Sequence, residues 1–182
     1  MDDKNKLPKR KELRLKQYDY SSKGAYFITI CTQNREKTLS RITMPVGVGA
    51  LDDPPSVFDI QVELTAIGKI VEKNLLSSEN ISGVTIDEYV IMPNHIHAII
   101  YLDPDERYNL KDGSSRAPTP TNEMIPHIVS TFKRFCNREI GRIIFQRGYI
   151  EHVIRDKRDY DTKVKYIYEN PVRRHFDELY GE

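Results

Sequence analysis

The sequence predicts an α+β fold, an antiparallel sheet with helices packed on it, and three observations predict it. Two β-rich runs, Val84 to Met92 and His95 to Leu102, are separated by the turn-forming pair Pro93-Asn94 and read as an antiparallel hairpin. A third run, Ala25-Tyr-Phe-Ile-Thr-Ile-Cys-Thr32, follows Gly24 and is aromatic and β-branched, as a buried strand is. Finally, Ile125, Ile128, Val129, Phe132, Phe135, Cys136 and Ile140 repeat at the spacing of an amphipathic helix.

Taken in chain order, residues 1–17 form a basic N-terminal arm, and residues 33–43 are polar and lead into a loop at 44–60 punctuated by Pro45, Gly47, Gly49, Pro54 and Pro55. Thr65 caps a helix whose apolar positions are Ile67, Ile70, Val71 and Leu75, ending near Ser77-Ser-Glu-Asn80. The hairpin comes next, followed by a second loop at 103–122. The amphipathic helix from Ile125 puts Lys133, Arg134, Asn137 and Arg138 on its wet side. Ile143 to Ile154 is partly strand-like, and a last helix runs from about Asp159 to Asn170, stopped by Pro171.

With 182 residues the chain suits one domain, read as 1–182. No run approaches the roughly 18 apolar residues of a membrane-spanning helix, and Met1 to Gln17 has no apolar signal core, so a cytoplasmic protein with no membrane association is expected. Cys31 and Cys136 stand far apart and read as small core residues in a reducing compartment.

The formal net charge of +1 hides an uneven distribution. Residues 1–17 carry seven Lys/Arg against three Asp/Glu, and 125–174 carry twelve against six, whereas 50–112 hold four against twelve. Basic ends suit a polyanion, though solvated faces have the same composition.

In a strand, His95 and His97 share one face while Ile96 and Ala98 take the other. Two adjacent imidazoles can bind one metal ion from a rigid platform but do not complete its coordination, and by themselves they are equally two strand histidines without a ligand. On the last helix, at about 100° per residue from Tyr160, the apolar Tyr160, Val164, Ile167 and Tyr168 fall within about −20° to 80°. Tyr168 therefore reads as core. Tyr166 and Asn170 lie near 240° and 280°, on a ridge that includes Lys163. A phenol with pKa ~10 is a weak nucleophile, and a phosphodiester repels anions. A divalent cation eases the second difficulty. Asn170 offers a neutral oxygen, and two imidazoles plus one amide oxygen leave open positions, which suits Mg2+ or Mn2+ better than a closed zinc site.

Tyr89-Val-Ile-Met-Pro-Asn-His-Ile-His97 and Tyr166-Ile-Tyr-Glu-Asn-Pro-Val172, with Tyr18-Asp-Tyr-Ser and Gly24-Ala-Tyr-Phe-Ile-Thr-Ile-Cys-Thr upstream, resemble the REP-associated tyrosine transposases. These belong to the single-tyrosine HUH (IS200-like) superfamily, and the resemblance spans about residues 14 to 174. It implies a ferredoxin-like (RRM-like) fold with the HUH motif on a central strand. It also implies binding of single-stranded DNA hairpins, and cleavage and rejoining through a 5′-phosphotyrosine link with a divalent metal and no organic cofactor. His95 and His97 match the family's metal ligands, Tyr166 its nucleophile, and Asn170 the position completing the metal site. Phe145-Gln146 stands where many relatives have Trp-Gln.

Candidate DNA contacts are Arg10 and Arg14 in the arm, Lys133, Arg134 and Arg138 along one helix, His152 and Arg155 in Gly148 to Arg155, and Lys163, Arg173 and Arg174 near the last helix. Two other readings remain open: a non-catalytic RRM-like module stacking bases on Tyr26 and Phe27, and a metallohydrolase joining His152 or an aspartate to the histidine pair. The sequence leaves monomer and homodimer open.

Overall fold

The computed structural model describes residues 22–43, 60–103 and 124–180. Its elements in order are β1 (Gly24–Cys31), β2 (Ser40–Thr43), β3 (Gln61–Leu64), α1 (Ala66–Leu76), β4 (Val84–Met92), β5 (His95–Leu102), α2 (Met124–Ile140), β6 (Ile150–Ile154) and α3 (Lys157–Tyr180). Four strands pair antiparallel in the order β4-β5-β1-β6, so the second strand of the expected hairpin and the first strand form the middle of the sheet, with β4 and β6 at the edges.

Strand alternation sorts the sheet into two faces. Tyr26, Ile28 and Ile30 of β1, with Ile96, Ala98, Ile100 and Leu102 of β5, pack against Val71 and Leu75 of α1 and against Ile125, Ile128, Val129, Phe132 and Cys136 of α2. The opposite face has a smaller core, in which Phe27 and Ile99 meet Ile167 of α3, flanked by Val90, Ile154, Tyr160 and Val164. His95 and His97, out of step with Ile96 and Ala98, face α3.

The α1 start is as expected: the Thr65 hydroxyl accepts from Gly68 N at 3.0 Å and lies 2.7 Å and 3.0 Å from the carbonyl oxygens of Thr38 and Leu39. Gly68 is required there by close approach, because a Cβ would lie 2.0 Å from Leu39 O.

Five expectations need correction. Residues 33–43 are not simply polar lead-in: Ser40–Thr43 is a strand paired with Gln61–Leu64 in a separate two-stranded sheet. Pro171 does not stop the last helix, which continues to Tyr180. Proline removes one helical hydrogen bond at a typical interior cost of ~3 kcal/mol, and the helix carries it with Pro171 buried. Phe135 is not core. It lies exposed at the edge of the α2 stripe with the guanidinium groups of Arg134 and Arg138 over its ring at 5.3 Å and 4.8 Å. Lys133 is not on the wet side, because its ammonium turns inward to the carbonyls of Gln146, Arg147 and Gly148. Tyr168 is 58% exposed and its hydroxyl donates to Glu88, so the apolar stripe of α3 centres on Val164 and Ile167. The loop at 44–60, apart from its last residue, and nearly all of that at 103–122 lie outside the described residues, as do Arg10 and Arg14.

Candidate active site

The cluster is built on β5 by strand alternation. His95 and His97 are buried, 8% and 5% exposed, with ring centroids 4.6 Å apart. The antiparallel register sets Thr29 of β1 opposite His97, and Thr29 Oγ1 lies 2.8 Å from His97 Nδ1. Phe27, two residues earlier on the same face, stacks on the His97 ring at 5.2 Å and 19°. Asn94, in the hairpin turn, places its Oδ1 2.8 Å from His95 Nδ1. An amide oxygen only accepts, so His95 Nδ1 carries the proton and Nε2 is the unprotonated nitrogen.

α3 supplies the rest. Tyr166, 38% exposed, meets His97 edge-on at 5.1 Å and Phe27 at 6.0 Å. Asn170, one turn later, is buried at 8% exposure, and its side chain hydrogen-bonds His95. Lys163, one turn earlier, holds its Nζ 5.3 Å over the Phe27 ring. The structure thus brings His95, His97, Tyr166 and Asn170 into one cluster with Lys163 at its rim.

Burial dominates the electrostatics. It pushes His95 down to about 4, assisted by the positive charges of Arg174 and Arg35 and opposed by the Asn170 hydrogen bond. Burial, then His95 and Lys163, pushes His97 down to about 3. Both imidazoles are neutral at physiological pH, the form that binds a metal.

His97 Nε2 is buried without a hydrogen-bond partner. His97 Nδ1 is taken by the Thr29 hydroxyl, so Nε2 is the ring nitrogen left for a ligand, in the cluster with His95 and Asn170. That donor set fits a divalent cation with open coordination positions. Among the described residues no group of three or more His, Cys, Asp or Glu is placed to hold a metal; the further polar side chain beside the two histidines is the amide of Asn170.

The remaining candidates scatter. Lys133 is held by three carbonyls, at 2.9 Å, 3.4 Å and 2.7 Å, and burial pushes its ammonium down to about 8. Arg134 and Arg138, also on α2, lie across the sheet from the histidines. His152 is paired with Asp159, Nε2 lying 2.8 Å and 3.0 Å from its carboxylate oxygens, and β1 separates it from the histidine pair. That removes the arrangement a His152-assisted hydrolase requires. Arg155 is exposed, its backbone N–H donating to Asp159, and Arg173 is bonded to Glu169 at 2.7 Å. Arg174 lies close enough to influence His95. Tyr26 is fully buried and Phe27 lies under His97 and Lys163, so neither ring is presented for base stacking. Thr29, Asn94 and Arg35 are the site residues that sequence reasoning missed; only the pairing register and the turn could have pointed to the first two.

No family model matches the chain. An uncharacterized protein of Haemophilus influenzae is 34% identical over 186 residues, covering 94% of this chain and 93% of its own. A second Haemophilus influenzae protein, assigned as a REP-associated tyrosine transposase, is 26% identical over 162 residues, 88% of this chain and 77% of its own. A solved structure of a REP-associated tyrosine transposase bound to a REP hairpin has the same fold, with a TM-score of 0.58 at 20% identity over 88% of this chain and 73% of that one.

Proposed function

We propose, for a chain that belongs to the REP-associated tyrosine transposase (IS200-like) family, the activity of a single-strand DNA transferase acting on hairpin-bearing DNA. The observation that carries this reading is the convergence of Tyr166 with two neutral imidazoles and a buried amide. The Tyr166 phenol attacks a phosphodiester phosphorus; a Tyr–O–P bond forms, the bond to the 3′ oxygen breaks, and a 3′-hydroxyl is released. Attack by a second 3′-hydroxyl reverses the exchange, rejoins DNA and restores the phenol. Bond energy is conserved throughout, so no nucleotide cofactor enters.

His95, His97 and Asn170 would hold Mg2+ or Mn2+, which when bound supplies Lewis-acid polarisation of the scissile phosphate. Phe27 and Thr29 fix the His97 ring, and Asn94 fixes the tautomer of His95. Lys163 and Arg174, beside the cluster, are suited to the strand's phosphates. A hairpin partner accords with the DNA bound in the structurally similar transposase. The protein acts in the cytoplasm on this reading; no helix among the described residues is long and apolar enough to cross a membrane.

The test is incubation with end-labelled single-stranded hairpin DNAs and Mg2+ or Mn2+, followed by denaturing electrophoresis. A metal-dependent covalent adduct, lost in Tyr166→Phe and retained in Tyr168→Phe, is expected. Tight binding without an adduct would replace the reading with a binding module, and free cleaved ends without an adduct would replace it with hydrolysis.

A further inference from the structure

β4 is an edge strand, and α3 packs against it more closely than against any other strand. Its pairing with β5 runs Val84↔Leu102, Thr85↔Tyr101, Ile86↔Ile100 and then jumps to Glu88↔Ile99, leaving Asp87 as a bulged residue without a partner. The bulge changes which residues face where. Val84 and Ile86 bury on the α1/α2 face, yet beyond the bulge Tyr89 and Ile91 do so, while Val90 joins the α3 core. A regular strand would show α3 only one of two consecutive side chains. Here it is shown both Asp87 and Glu88.

Both are taken by phenols of α3. Tyr160 Oη donates to Asp87 Oδ2 at 2.6 Å, and Tyr168 Oη donates to Glu88 Oε2 at 3.0 Å. The hydrogen bond to Asp87 is the main cause that holds the Tyr160 phenol up at about 12, and that to Glu88 raises Tyr168, so both remain donors at neutral pH. Eight residues of helix separate the two tyrosines, ~12 Å along the axis, whereas their acceptors are adjacent, ~3.3 Å apart along the strand. The phenols therefore converge like a pincer, opposing displacement of the helix in either axial direction. Both lie on the flank of α3 away from Tyr166, between 0° and about 80° against 240°, so the same pair fixes rotation of the helix.

We propose that the Asp87–Glu88 bulge is a positioning device that sets the axial and rotational placement of α3 and so holds Tyr166 against His97. This rests on the reading of Tyr166 as the nucleophile only where rate is concerned; the placement itself stands apart from it. Its residues are positioning residues, acting through α3.

The experiment uses the full chain carrying 3-fluorotyrosine, with the Tyr166 19F resonance assigned by its loss in Tyr166→Phe. In the native protein that resonance is expected to be displaced by the rings of Phe27 and His97, which lie edge-on at 6.0 Å and 5.1 Å. In Asp87→Ala/Glu88→Ala, and in Tyr160→Phe/Tyr168→Phe, it moves toward the position of free tyrosine while thermal unfolding stays cooperative. In Asp87→Asn/Glu88→Gln, whose amide oxygens still accept from the phenols, it stays in place. The alanine pair forms adduct about tenfold more slowly at saturating DNA, with little change in KM, and the amide pair restores most of that rate. An unmoved Tyr166 resonance in both the alanine and phenylalanine pairs overturns the proposal, even if both variants are less stable. If the native protein forms no adduct, the transferase reading fails while the resonance still decides the positioning; should the alanine pair not fold, the phenylalanine pair, lacking only two hydroxyls, decides it.

Discussion

His97 lies edge-on to Tyr166 with ring centroids 5.1 Å apart, although one residue is in the middle of the sheet and the other on the last helix. A strand and a helix meet here at the face opposite the main core, and the proposed chemistry and the packing share the same few side chains.

Thr29 and Asn94 orient the two imidazoles, so their loss should register in metal affinity before it registers in folding. Thr29→Val is expected to weaken Mn2+ binding about tenfold by electron paramagnetic resonance titration, and His97→Ala to abolish it. Unaltered affinity in Thr29→Val would show that its hydroxyl does not orient the ring.

In the metal-free protein, acid should weaken the fold through the same histidines. Both sit below the ordinary 6.5, at about 4 and about 3, so between those values and 6.5 the unfolded chain binds more protons than the folded one. Their contribution is complete above about pH 6.5 and is lost as pH falls through 4 and then 3, at up to ~1.4 kcal/mol per unit for each histidine. Urea midpoints measured from pH 7 to 4 should fall, and the fall should flatten in His95→Gln/His97→Gln.

Gly68→Ala should destabilise the protein by about 1–3 kcal/mol, the usual cost of overpacking, because the new Cβ meets the Leu39 carbonyl oxygen at 2.0 Å. The measurement is the urea midpoint at constant slope. A midpoint equal to the native one would mean that the segment carrying Leu39, just before β2, yields freely.

Lys133→Met separates structure from DNA contact. Three carbonyls lose their donor, so about 1–3 kcal/mol of stability should disappear. The salt dependence of hairpin binding should fall by less than the ~1 unit that a lost phosphate contact produces. A full unit would restore Lys133 to the DNA surface.

Much of this was legible from sequence where a periodic pattern ran long enough to bury a face. The hairpin bounds, Thr65 as a cap, and the α2 stripe apart from Phe135 all follow from alternation or i, i+3, i+4 spacing, and so does the shared face of His95 and His97. The ridge of Tyr166 and Asn170 was legible as an angle, and so was the core side of α3 at Tyr160, Val164 and Ile167; the place of Tyr168 was not. Tyr168 counts as apolar in a periodicity, whereas its hydroxyl has a partner eighty positions away at Glu88. Four-residue strands such as Ser40–Thr43 are too short to show alternation. The Asp87 bulge has no local signature, since it exists only relative to β5. Lys133 misled for the same reason: its acceptors are carbonyls at 146 to 148, and a backbone acceptor leaves no mark in the residue letters.

The unequal cores on the two faces of the sheet have an evolutionary consequence. On the α3 side, Ile167 is at once a structural anchor and the chain neighbour of Tyr166, so on the proposed reading a substitution there alters durability and reactivity together. On the α1/α2 side, residues such as Val71, Ile125 and Phe132 share a core that does not include the α3 cluster. That half can drift, or be engineered for hardiness, while the other is held still, and lineages of this fold should accumulate their hydrophobic exchanges there.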